Sequence, residues 1–277
     1  MSKKYSGKIS LTKNSRGIYG LDTSIGCQSG IKNNPDGGGC YGDCYAAKAA
    51  KLYGYDFGQT VFRNFEDEYH RRRIVGQINR IPLDFVRIGC SGDPSEDWAH
   101  TVKILRGIDK CNKEIVIITK HWTLLSEDQL QYFSGINICV NTSVSALDKP
   151  DYLARGLFEY GRLKSVCKSV LRIVSCDFNL ENERGFELSK IQEGLFQNDA
   201  IIDTVFRPDK NNPFIRNGII NAKRAAFMGK KTLVSKYNKK TYTGKCASCL
   251  EMCGVNVEND IRLYPNKRGI SKQTKLF

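Results

Sequence analysis

Six short apolar runs rich in Ile and Val recur along the chain: 18-IYGLDTSI-25, 84-DFVRIGC-90, 114-EIVIITK-120, 136-INICVNTSV-144, 169-SVLRIVSC-176 and 201-IIDTVFR-207. Their nearly continuous apolar character predicts strands buried on both faces, as in a parallel sheet. Amphipathic stretches near 42–53, 64–79, 96–109, 126–134, 150–167 and 182–198 predict helices between them. Ser126 ahead of Asp128, and Ser95 ahead of Glu96, have the pattern of helix starts. Six strand–helix repeats imply an α/β protein.

A partial (β/α)6 TIM-type barrel and an open doubly wound sheet both suit such repeats. No G-x-G-x-x-G follows the first run, which weakens the dinucleotide-binding version of the latter. The expected organisation is a partial barrel over residues 1–210. Residues 211–277 form a basic, cysteine-containing C-terminal extension, expected to pack on the barrel. In either arrangement functional groups gather at the C-terminal ends of the strands. Polar residues accumulate there: Ser91, Gly92, Asp93 and Glu96 after the second run, Thr119, Lys120 and His121 after the third, Asn141, Ser143 and Ser145 at the fourth.

The 277 residues are 40% hydrophobic and 26% charged, the balance of a soluble protein with a core. No apolar run is long enough to span a bilayer, and MSKKYSGKIS lacks the apolar stretch of a signal peptide. A cytoplasmic protein with no membrane partner is expected. The net charge of +14 is concentrated at one end, since residues 205–277 carry 16 Lys and Arg against 4 Asp and Glu. That bias suggests a polyanionic partner, most simply nucleic acid, or else a solvated basic surface. Lys230, Lys231, Lys236, Lys239 and Lys240, flanking Tyr237 and Tyr242, are the expected contacts.

Of the 11 cysteines, two groups are clustered: Cys27, Cys40 and Cys44, and then Cys246, Cys249 and Cys253. Clustered thiols in a chain without secretory signals suggest metal or redox chemistry rather than disulfides. The first group, in 27-CQSGIKNNPDGGGCYGDCYAAK-48, has no histidine nearby. Three ligands on a glycine-rich loop leave a metal position open, which a catalytic centre requires. A structural metal loop is the alternative. The second group, 244-TGKCASCLEMCGV-256, suits an auxiliary Fe–S cluster or zinc, with a fourth ligand from elsewhere. Cys90 and Cys176 end strands, where a thiol is able to donate hydrogen to a substrate radical, although core packing is the commoner role. Cys139 and Cys167 are expected in the core.

The placement of Cys27, Cys40 and Cys44 after the first strand resembles the radical S-adenosylmethionine (SAM) superfamily, although its usual C-x3-C-x2-C spacing is shorter. The stretches 44-CYAAK-48, 89-GCSGDPSED-97 and 118-ITKHWTLLSEDQLQYF-133 are similar to its spore photoproduct lyase-like branch. An uncharacterised phage-encoded cysteine-rich family is nearer still, sharing the loop ending and a downstream Arg63-Asn64. The resemblance covers roughly residues 18–210. It implies a 4Fe–4S cluster on Cys27, Cys40 and Cys44 whose fourth iron binds SAM. It also implies an electron donor such as flavodoxin or ferredoxin, and reductive cleavage of SAM to a radical that abstracts hydrogen. Gly92, Asp93 or Glu96 would then face the methionyl amino group, and Asn141, Ser143 and Ser145 the ribose. Tyr45 would lie near adenine, and Lys120 near a carboxylate or substrate. Helix capping and strand-end polarity are the plainer explanations of the same residues. With nucleic acid as substrate, a target base would be unstacked into the barrel mouth. A non-enzymatic, metal-stabilised nucleic-acid-binding protein is the alternative, and a radical enzyme acting on a peptide or small metabolite is a third.

Overall fold

A computed structural model describes residues 6–34, 39–206, 208–221, 232–233, 241–242 and 252–257. In chain order its strands and helices are β1 (Leu11–Lys13), β2 (Tyr19–Leu21), β3 (Ser24–Ile25), α1 (Gln28–Asn33), α2 (Tyr45–Tyr53), β4 (Val61–Phe62), α3 (Glu68–Asn79), β5 (Phe85–Ile88), α4 (Trp98–Arg106), β6 (Glu114–Thr119), α5 (Glu127–Ser134), β7 (Ile138–Val144), α6 (Pro150–Lys164), β8 (Lys168–Ser175), α7 (Glu183–Leu195), β9 (Ile201–Val205), α8 (Pro213–Arg216), β10 (Thr232–Leu233) and β11 (Thr241–Tyr242).

The main sheet has the order β1-β2-β5-β6-β7-β8-β9. Only β1 runs antiparallel to its neighbour, and every pair from β2 to β9 is parallel. Those six parallel strands correspond to the six apolar runs. They follow one another in chain order, without the reversal that defines a doubly wound sheet. The first run breaks in two, however. After β2, Asp22 accepts the Cys90 N–H at 2.5 Å, and the Thr23 carbonyl accepts the Arg63 N–H at 2.9 Å. The first bond keeps the chain beside the end of β5, and the second belongs to the pairing of β3 with β4. Both β1 and β4 are too short to leave a periodic signal.

Alternate residues of each strand serve two cores. Val86, Ile88, Ile115, Ile117, Ile138 and Val140 pack under α3, α4 and α5 against Ile74, Ile78, Val102, Leu105, Leu130 and Phe133. On the opposite face Phe85, Val116, Cys139, Val170 and Ile202 form a second layer, against which Cys253, Val255 and Val257 pack. Two apolar faces explain why the runs read as continuous. Cys139 and Cys167 are buried, as expected.

Side-chain caps set the starts of α3, α4, α5 and α7. Ser126 and Gln129 form a reciprocal capping box on α5. Ser95, by contrast, lies inside a short turn capped by Asp93, and α4 begins later with Asp97 accepting the His100 N–H at 2.9 Å. Among the described residues no helix is long and apolar enough to cross a membrane.

Candidate metal centre

The described parts of the cysteine loop, residues 27–34 and 39–48, are built on turns and short helices. Gly26, at φ +83°, bridges to Gly92, and Cys27 follows it with its N–H donated to the Phe57 carbonyl at 2.9 Å. Cys27 then caps α1, its sulfur accepting the Gly30 N–H at 3.3 Å. The periodicity of 28–33 is too short to predict this helix, and a cysteine cap is an uncommon signal. Cys40 opens a tight turn in which Tyr41 takes the left-handed φ of +57°, and Cys44 caps α2.

All three thiols enter one apolar cluster with Ala47, Ala50, Phe57 and Trp122. Gly30 permits the approach: a Cβ there would meet the Cys27 sulfur at 2.9 Å and the Cys40 sulfur at 3.6 Å. Burial, chiefly, pushes each thiol up. Cys40 rises to about 12 despite the positive charge of Lys120. Cys27 is raised by burial and then by Asp93, Cys40 and Glu96. Cys44 is raised by burial, against the Ala47 and Ala46 amides and Lys48. A metal binding here would therefore displace protons. Among the described residues no three His, Cys, Asp or Glu side chains are gathered closely enough for one metal ion. The three thiols share one apolar cluster, and each thiolate of an iron–sulfur cluster would need to reach only its own iron. The indole N–H of Trp122, in the same cluster, is buried without a hydrogen-bond partner among the described residues, which fits an acceptor arriving with such a group.

Charged groups close round this cluster. Glu96 Oε1 accepts the Ser29 N–H at 2.8 Å and the Cys27 thiol at 3.3 Å. Lys120 Nζ donates to both oxygens of Asp148 at 2.9 Å, and the Tyr41 hydroxyl donates to Asp148 at 2.9 Å and also meets Lys120. The Tyr41 carbonyl accepts from Asn212, which follows β9, at 2.8 Å. Tyr41, Asp148 and Asn212 carry no sequence signal, because the loops that supply them are far apart in the chain.

The other predicted residues have varied settings. Asp93 is buried, and its Oδ1 accepts from the Ser95 amide and hydroxyl and from Thr119 at 2.7 Å, while Oδ2 accepts the Lys120 N–H at 2.7 Å. It knits β6 to the preceding turn. Gly92 approaches the first strand's extension so closely that a Cβ would lie 2.4 Å from the Ser24 carbonyl oxygen. The Tyr45 hydroxyl donates to the Cys90 carbonyl and lies 3.4 Å from Arg87. Asn141 accepts from Arg172 at 3.1 Å and donates to the Cys253 carbonyl at 2.9 Å. Ser145 donates its hydroxyl to the Val174 carbonyl and its N–H to Asp148, both at 2.8 Å, and Ser143 lies on β7. Cys176 is buried among Tyr41, Phe178 and Phe206, with its thiol raised well above the ordinary range by burial. Cys27, Cys40, Cys44, Asp93, Glu96 and Lys120 thus share one region. Tyr45 and Cys90 adjoin Arg87, and Asn141 meets Cys253 on the opposite face from the helices. Cys246, Cys249, Lys230, Lys231, Lys236, Tyr237, Lys239 and Lys240 lie outside the described residues.

No protein-family model matches the chain, and no curated protein matches it. Among solved structures it is similar to a spore photoproduct lyase variant with bound AdoMet and dinucleoside spore photoproduct, at 11% identity and a TM-score of 0.45, over 91% of this chain and 78% of that one.

Proposed function

We propose that this chain is a radical SAM enzyme built on a partial six-unit barrel, with Cys27, Cys40 and Cys44 holding a 4Fe–4S cluster and nucleic acid as substrate. The observation that carries the reading is the convergence of these three thiols in one apolar cluster where the first parallel strand hands over to its helix. When bound, the cluster with SAM supplies reductive cleavage and a hydrogen-abstracting radical. The chain supplies the surroundings. Phe57, Ala47 and Trp122 exclude water from the thiols. Lys120 offsets thiolate charge at Cys40, and the Ala46 and Ala47 amides do so at Cys44. Asp148 and Asn212 hold the turn that carries Cys40 and Tyr41. Cys246, Cys249 and Cys253 are proposed to hold a second centre, an auxiliary cluster or zinc.

Anaerobic reconstitution with iron and sulfide tests the class. A brown protein with about four irons at the first site, releasing 5′-deoxyadenosine from SAM under dithionite, supports it. A colourless protein with stoichiometric zinc and no SAM cleavage overturns it in favour of a metal-stabilised binding protein. Titration of labelled DNA and RNA at several salt concentrations tests the substrate, with a log–log slope of about −0.7 to −0.9 per phosphate contact expected.

A further inference from the structure

Away from the cysteine loop, a cleft of about 280 Å³ opens where β1, the strand at one edge of the main sheet, meets the end of α3. Lys13 of β1 is the cross-strand partner of Tyr19 of β2, and its ammonium lies 5.2 Å from the centre of the Tyr19 ring. Gln77, Arg80 and Ile81 follow the i, i+3, i+4 spacing that puts side chains on one face of a helix end, and all three line the cleft. Leu11, Tyr19 and Ile81 are part of the core beneath and give the cleft an apolar wall.

The charge on this cleft is one-sided. Lys13 and Arg80 both line it, and no Asp or Glu does. Among the described residues neither cation forms an ion pair. The side chains of Lys13, Arg80 and Gln77 and the Tyr19 hydroxyl also make no hydrogen bond among those residues. The Thr12 hydroxyl, by contrast, is donated to the Gly20 carbonyl at 3.3 Å. An ammonium, a guanidinium fork, an amide and a phenol thus offer donors to one concavity that supplies no anion, the complement of an oxyanion that only accepts. Two positive charges match a phosphomonoester, which carries about −1.5 to −2 at pH 7, better than they match a single carboxylate.

We propose that this cleft binds a small phosphomonoester, with the phosphate between Lys13 and Arg80 and an apolar body against Tyr19, Leu11 and Ile81. Tyr19 begins β2 and Arg80 precedes β5, so the cleft lies at the N-terminal end of the parallel strands, whereas Cys27 follows the C-terminal end of the first one. Reaction centres of α/β folds gather at the C-terminal ends. The ligand is therefore held here and not transformed, and the site does not rest on the radical-enzyme reading.

The test is calorimetric titration of the purified full chain with phenyl phosphate, inorganic phosphate and benzoate, near neutral pH and at ionic strength fixed with chloride. Phenyl phosphate should bind most tightly, inorganic phosphate less so for want of an apolar body, and benzoate least. Lys13→Gln and Arg80→Gln should each weaken phenyl phosphate about tenfold or more, as the loss of one charge-assisted hydrogen bond does. Arg80→Lys keeps the charge without the fork and should also weaken it; this variant decides the matter if a Gln variant loses its native circular dichroism. Lys190→Gln removes the same charge from α7 and should leave binding unchanged. Equal weakening by Lys190→Gln would reduce the attraction to net charge and overturn the site. So would the absence of phenyl phosphate binding above the chloride background, or binding that Lys13→Gln and both Arg80 variants leave intact. Benzoate binding as tightly as phenyl phosphate would overturn the assignment to phosphate, and inorganic phosphate doing so would overturn the role of the apolar wall.

Discussion

The ammonium of Lys120 lies 2.9 Å from each carboxylate oxygen of Asp148, and the Tyr41 hydroxyl completes the knot beside Cys40. The pair is nearly closed to solvent, with side-chain exposures of 11% and 3%. It joins the end of β6, the end of β7 and the cysteine loop. Asp148→Ala leaves a cation without its partner, and a loss of about 3–5 kcal/mol in urea unfolding is expected. Combining it with Lys120→Met should recover most of that stability but not iron retention after reconstitution. A double variant that keeps full iron would show that the knot has no part in holding the loop.

Single Ala substitutions at Cys27, Cys40 and Cys44 should each reduce reconstituted iron to near background and abolish 5′-deoxyadenosine release. Cys111→Ser, at a residue remote from the loop, should keep both. Iron retained in full by any of the three loop variants would remove that residue from the ligand set.

Gly92→Ala separates a structural role from a cofactor role. The added Cβ would lie 2.4 Å from the Ser24 carbonyl oxygen and 2.9 Å from that of Gly26. Backbone cannot yield there as a flexible side chain can, so a destabilisation of about 1–3 kcal/mol is expected from overpacking. Thermal denaturation of the metal-free protein is the measurement. Unchanged stability with weakened SAM binding would instead favour direct contact with the cofactor.

His121 gives the fold a pH dependence. Burial lowers its pKa from the ordinary 6.5 to about 3, its Nε2 pairs with the Thr142 hydroxyl at 3.0 Å, and its Nδ1 is buried without a partner among the described residues. The unfolded chain takes up a proton near pH 6.5, whereas the folded chain resists it until about pH 3. Its contribution to stability is therefore present above pH 6.5 and is lost as pH falls through that window, by up to about 1.4 kcal/mol per pH unit. Urea midpoints between pH 7 and 4 should fall less steeply in His121→Gln than in wild type.

The apolar runs carried most of the architecture, because a strand packed on both faces must be continuously apolar whatever it packs against. They specified six parallel strands with helices between them, and the spacing of cysteines singled out the loop after the first. The helix start read at Ser126 from the acidic Asp128 was legible, although the structure adds Gln129 as its reciprocal cap; that at Ser95 was misleading, because Asp97 caps the helix instead.

Tertiary structure decided the rest. The sequence marks Asp93, Asn141 and Ser145 only as polar strand ends; folding commits Asp93 to Ser95, Thr119 and Lys120, Asn141 to Arg172 and Cys253, and Ser145 to Asp148. Tyr41 and Asp148 are 107 positions apart, and nothing local announces their bond. Arg87 and Arg172 sit inside apolar runs, where a lone arginine gives no hint of its face until strand alternation and neighbouring helices assign one. Local pattern fixes what a segment buries, because burial is a property of its own side chains. Which polar groups meet depends on how separate loops are brought to one end of the sheet, and that distance is set by the fold alone.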